Sequence, residues 1–180
     1  LGIDAQGYIH ISYNQHASQL CYRRSKSHWS IDTWSDEQNM TGYYEDKVTY
    51  PTFISPTPGK IGNISLYFLY RDGTPGGGEA RLKWLNSETG SWTDVETPLL
   101  SGSQCKPWLA GPYWNHPVID KDGYLCLSFM WHCPSTEDER VNNNHLSYAR
   151  FTQDFQFWET QAKHCLKLPI TPLTNEVILA

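Results

Sequence analysis

The sequence has no run rich in Lys or Arg and carries a formal net charge of −5. That argues against a nucleic-acid partner, whose binding depends on neutralising phosphates. No apolar run is long enough to span a bilayer, so no membrane partner is expected. The five cysteines, Cys21, Cys105, Cys126, Cys133 and Cys165, are odd in number and lack C-x-x-C spacing. Neither a disulfide framework nor a zinc ribbon follows from them. The glycine cluster Thr74-Pro-Gly-Gly-Gly78 lacks the Gly-Lys-Ser/Thr ending of a phosphate-binding loop and reads as a mobile loop beside Arg71. The chain opens on Leu1 and shows no signal-peptide pattern, which suggests an internal segment of a longer protein.

What is present is aromatic. Eight Trp and eleven Tyr accompany 39% hydrophobic content in 180 residues, enough for a core. Such a bias is common where rings stack on sugar faces, and equally where they pack between sheets.

The main fold signal is repetition. Gly7-Tyr-Ile-His-Ile-Ser-Tyr, Gly62-Asn-Ile-Ser-Leu-Tyr-Phe-Leu-Tyr and Gly123-Tyr-Leu-Cys-Leu-Ser-Phe each read as a turn entering a strand. Each is followed by another strand and then a tryptophan: Trp29, Trp92 and Trp158. A period of about 60 residues with about four short strands per repeat predicts an all-β fold of the β-propeller class. The repeats fall near 1–47, 48–112 and 113–168, with the start of a further blade after them. Three blades do not close a ring, so a fragment or an open arc is expected. Within it, 30–47 should supply a fourth strand and an interblade loop.

The residues nine positions after the repeat glycines are His16, Arg71 and His132. Equal offsets from equivalent turns place them on one rim. Tyr50 and Tyr113 precede the matching first strands and join that rim, because an antiparallel hairpin sets the start of one strand beside the end of the next. His16 reads either as a general base or as a surface loop histidine. On the strand near Leu20–Ser25, Arg23 and Arg24 alternate faces, and one of them is placed to meet a ligand or to form a solvated edge pair. Asn86-Ser-Glu-Thr-Gly90-Ser-Trp92 and Thr152-Gln-Asp154-Phe-Gln-Phe-Trp158 are loose versions of the structural turn called an Asp-box. His132, Cys133 and His145 are candidates to converge on a zinc, with His116 or Cys126 as a fourth ligand. The alternative is a buried free cysteine beside satisfied histidines.

Taken in order, Gly7–Tyr13 with His16, Tyr22-Arg-Arg-Ser25, Met40-Thr-Gly42, Val48-Thr-Tyr-Pro51, Phe68-Leu-Tyr-Arg-Asp-Gly73, Tyr113-Trp-Asn115, Asp122-Gly-Tyr-Leu125 and Asn144-His-Leu-Ser-Tyr-Ala-Arg150 span nearly the whole chain. The set resembles the BNR-4 repeat family, which is similar to seven-bladed propellers and includes secreted ulvan lyases. The resemblance implies β-elimination on a uronate-containing anionic polysaccharide by a monomeric, secreted or periplasmic protein. It implies Arg71 as neutraliser of the uronate carboxylate, His16 and Tyr113 in proton transfer, and Tyr50 at the cleavage site. Arg24, Trp114 and Asn115 are the expected substrate contacts. No cofactor is expected for the chemistry, and a structural zinc is implied near His132 and His145, with Asn143 where a cysteine would stand. The second histidine of such lyases, expected before His16, is absent. Two rivals remain: a glycan-binding propeller without turnover, and a sialidase-like hydrolase using Asp72 or Asp120.

Overall fold

The computed structural model describes residues 1–56, 62–74, 76–103, 110–133 and 143–179. Part of the hairpin turn, 57–61, and Cys105 lie outside the described residues. No helix occurs among those described; the chain forms three antiparallel sheets.

The first sheet orders β1 (Gly2–Ile3), β2 (Ile9–Ser12) and β3 (Tyr22–Arg24). In the second, β4 (Val48–Ile54), β5 (Ile64–Asp72), β6 (Glu79–Asn86) and β7 (Trp92–Asp94) run in sequence order, and β8 (Leu100–Ser101) pairs with β6. The third contains β9 (Gly111–Trp114), β10 (Val118–Ile119), β11 (Leu125–His132), β12 (Asn143–Phe151), β13 (Phe157–Glu159), β14 (Cys165–Lys167) and β15 (Glu176–Leu179). After Trp158, β14 pairs with β13 and β15 with β12.

The repetition has a physical basis in its turns. Asp4 Oδ1 accepts the amides of Gln6 and Tyr8, and Asp120 Oδ1 those of Asp122 and Tyr124. Both turns pass through a glycine in the left-handed region, Gly7 at φ 87° and Gly123 at φ 90°. Above them Arg24 stacks 3.6 Å from the centre of the Tyr8 ring and Arg150 stacks 3.5 Å from that of Tyr124. One Asp-x-x-Gly-Tyr turn with one arginine lid is thus built twice.

β5 is buried along both faces except at its two ends, which is why its sequence is an unbroken apolar run rather than an alternating one. Tyr67 and Leu69 face the third sheet, meeting a core that includes Leu127, Phe129, Trp131 and Trp158. Phe68 and Tyr70 face the other way, toward Leu20 and Tyr22 of the first sheet.

No regular strand forms in 30–47, but 33–38 run beside β3: the Ser35 amide donates to the Arg24 carbonyl at 2.8 Å and the Gln38 amide to the Tyr22 carbonyl at 3.1 Å, around an isolated bridge from Trp34 to Ser25. A buried cation holds the rest of that segment. Lys83 on β6 donates to Thr41 Oγ1 at 2.6 Å and to the Tyr43 carbonyl at 2.9 Å, and lies against the carboxylates of Glu45 and Asp94. Glu45 in turn accepts the amides of Met40, Thr41 and Gly42. Polar pinning supplements the few backbone bonds that the acidic, turn-rich sequence supplies.

Candidate active site

The site begins at an irregularity in β4. Thr49 pairs with Arg71, but the register shifts between Thr49 and Thr52, and Tyr50 sits in the bulge at φ 55°. A left-handed tyrosine directly before a proline is doubly unfavourable, since proline pushes its predecessor toward extended conformations. Such a conformation persists only where the surroundings over-determine it, and it clusters at functional sites.

Opposite the bulge stands Arg71, with a relative exposure of 0%. Its Nε and both terminal nitrogens are buried without a hydrogen-bond partner among the described residues. The neighbouring carboxylate does not help, because Asp72 points to the other face of β5 and pairs with Arg81 at 3.4 Å. Two rings cover the guanidinium: its carbon is 5.0 Å from the centroid of Tyr50 and 5.5 Å from that of Tyr113. The glycine-rich loop packs from the side. A Cβ on Gly78 would come within 3.3 Å of Arg71 Cγ and 2.6 Å of the Asp72 carbonyl, so only glycine permits this approach.

The aromatic contacts extend the pair into an arc. His16 meets Tyr50 edge-on at 6.1 Å between centroids, Tyr50 meets Tyr113 at 5.7 Å, and Tyr113 meets His132 at 5.3 Å. Burial pushes the Tyr50 phenol above its usual range, the adjacent Tyr113 adds to that, and the Arg71 charge opposes both. The arc therefore gathers two imidazoles, two phenols and one desolvated permanent cation from three sheets. Such a set can pair with an anion and move protons.

Other expected residues lie elsewhere. Arg24 is at the opposite end of its blade, on the Tyr8 turn, in the same place as the structural Arg150. Trp114 packs against the main core. Asn115 is exposed and donates from Nδ2 to Ser128 Oγ at 2.9 Å. Asp120 lies in the Gly123 turn, bound to Arg150 at 2.9 Å, and so is off the rim.

His132, Cys133 and His145 do not assemble a zinc set. Among the described residues no group of three His, Cys, Asp or Glu side chains could hold a metal ion. The register explains it. β11 sets His132 opposite Asn143, whose Oδ1 lies 3.0 Å from His132 Nδ1, and the ladder shifts before His145. Cys133 packs against the core. His116 and Cys126 are also engaged, with the Pro117 carbonyl and the Tyr148 hydroxyl.

One buried constellation has no signal in the sequence. His10 is fully buried, with Nδ1 2.7 Å from Tyr22 Oη and Nε2 3.1 Å from Asp4 Oδ2, while Trp92 Nε1 donates to Tyr22 Oη at 3.1 Å. Its members come from two sheets, and no short spacing joins Trp92 to the rest.

The family profile of BNR repeat-containing proteins matches residues 1–180. The chain belongs to the BNR repeat-containing family. No curated protein matches it. Among solved structures, this BNR protein superposes on an ulvan lyase, described as a new family of polysaccharide lyase, with a TM-score of 0.73 and 18% sequence identity. The match covers 96% of this chain and 42% of that one, so the chain spans well under half the length of its structural neighbour. The fold is that neighbour's β-propeller fold, present here as three sheets.

Proposed function

We propose that the BNR protein is a polysaccharide lyase that cleaves an anionic, uronate-containing polymer, ulvan or a close analogue, by β-elimination. The observation that carries the proposal is Arg71, a buried guanidinium whose nitrogens find no well-formed hydrogen bond among the described residues, with two phenols at its mouth. An unpaired buried cation is costly to keep, and a ligand carboxylate removes the cost. Arg suits this better than Lys because it stays charged and grips a carboxylate with two parallel bonds.

In the reaction a base takes the weakly acidic proton from the carbon beside the uronate carboxylate. The charge that develops on the carboxylate is offset by Arg71, the usual source of the largest rate term. The glycosidic carbon–oxygen bond then breaks, a carbon–carbon double bond forms, and an acid protonates the leaving oxygen. His16, Tyr50 and Tyr113 are the residues of the arc for these proton transfers. A polymeric substrate of this kind implies a secreted or periplasmic protein. The neighbour's description as an ulvan lyase supports the polymer class, as does the family's glycan association.

The raised Tyr50 phenol and the closed cover over Arg71 favour a second reading, a glycan-binding propeller without turnover. A hydrolase has less support, because no carboxylate joins the described arc. The test is ultraviolet absorbance during incubation with ulvan and other uronate polymers, with Arg71→Ala as control. A rise that the substitution removes is expected. A flat trace with tight polymer binding replaces the lyase by the binding module, and hydrolytic products without a double bond revive the hydrolase.

A further inference from the structure

We propose that Thr49 is the positioning residue that fixes His16 against Tyr50, coupling the first sheet's loop to the arc; the proposal rests on the lyase reading above for its catalytic consequence. Thr49 is fully buried, and its hydroxyl oxygen accepts the Ala17 amide at 2.7 Å. Its backbone pairs with Arg71 across the ladder, and its peptide bond leads straight into the Tyr50 bulge. One residue thus touches three parts of the site: the His16 loop, the Arg71 strand and the Tyr50 backbone.

The loop needs such an anchor. Residues 14–17 contain two left-handed non-glycine positions, Asn14 at φ 58° and Ala17 at φ 52°, so its path is strained and held from outside. One further tie sets its height on β4: the Val48 amide donates to the Ser18 carbonyl at 2.8 Å. Within the loop, the His16 amide donates to Ser18 Oγ at 3.3 Å. The Thr49 bond is the tie nearest the imidazole that reaches the second sheet through a side chain. Without that acceptor the Ala17 amide loses its partner, and the edge-on contact of His16 with Tyr50 loses its reference point.

The decisive substitution is Thr49→Val, which keeps the branched shape of a buried strand residue and removes the acceptor. Thr49→Ser restores the hydroxyl. By nuclear magnetic resonance, the wild-type chain should show a His16–Tyr50 ring contact and slow exchange of the Ala17 amide. Thr49→Val should lose both, and Thr49→Ser should recover them. On a uronate polymer, Thr49→Val should lower kcat by about 10- to 100-fold with KM little changed, the scale expected when a catalytic group is misplaced by about an ångström.

A ring contact that persists in Thr49→Val overturns the proposal. So does a freely exchanging Ala17 amide in the wild type, a measurement that stands even if the valine variant does not fold. A wild-type chain that cleaves no polymer overturns the lyase reading alone, because the ring contact and the amide exchange still decide the role of Thr49.

Discussion

The guanidinium carbon of Arg71 lies 5.0 Å from the centre of the Tyr50 ring, and none of its nitrogens has a hydrogen-bond partner among the described residues. Cation–π attraction of about 1–2 kcal/mol offsets only part of the cost of burying a charge. Arg71 is therefore held for what it can bind. Arg71→Met should raise stability by about 1–3 kcal/mol, since a buried group left without partners is removed and replaced by an apolar side chain. The same variant should lose at least about 100-fold in turnover. Thermal melts and double-bond absorbance on one sample check both; a lower melting temperature would show that the protein itself satisfies the guanidinium.

Tyr50 separates strain from chemistry. Tyr50→Phe keeps the ring over Arg71 and should leave the fold unchanged while reducing turnover, if its phenol moves a proton or binds the reacting group. Tyr50→Gly should be neutral or stabilising by up to about 1 kcal/mol, because glycine takes φ 55° without penalty. Chemical denaturation of the two variants beside the wild type is the measurement.

Gly78→Ala is expected to be costly. Its φ of 137° and the 2.6 Å approach of an added Cβ to the Asp72 carbonyl leave no room, and the next neighbour is Arg71 Cγ. A loss of about 1–3 kcal/mol in stability should accompany weaker polymer binding, as the loop is pushed away from the cation. Urea unfolding and equilibrium binding check the two effects.

The Asp4–His10–Tyr22–Trp92 chain predicts an acid limb in stability. Burial pushes the Asp4 carboxyl up, but bonds from His10 and from the amides of Tyr8 and Gln6 outweigh it, so its folded pKa is below the usual carboxylate value. A depressed folded pKa gives stability that is present above about pH 4 and is lost as pH falls through the lower, folded value. Asp4→Asn should be less stable than wild type near neutrality and flatter across that window. Denaturant midpoints from pH 7 to pH 2.5 check the slope. Tyr22, whose phenol burial pushes up to about 12, stays protonated throughout.

The sequence by itself determined the repeated unit and the membership of the arc. The turn glycines, the unbroken apolar run of β5 and the equal offset to His16, Arg71 and His132 are local or periodic facts, and strands built on equivalent turns carry equivalent residues to one rim. Strand alternation also sets Asp72, the residue after Arg71, on the face away from that rim. Wherever the outcome depended on register or on partners far apart in the chain, only the tertiary structure decided. The β11–β12 register set Asn143, not His145, opposite His132. Lys83, 42 residues from Thr41, held a segment that forms no strand. Arg24, ambiguous on an alternating strand, is a lid on the Tyr8 turn, as Arg150 is on the Tyr124 turn. The burial of Arg71 without a partner among the described residues, the feature on which the proposed function turns, follows from how closely the rings of Tyr50 and Tyr113 shut over it from β4 and β9, a depth that membership of one rim does not give.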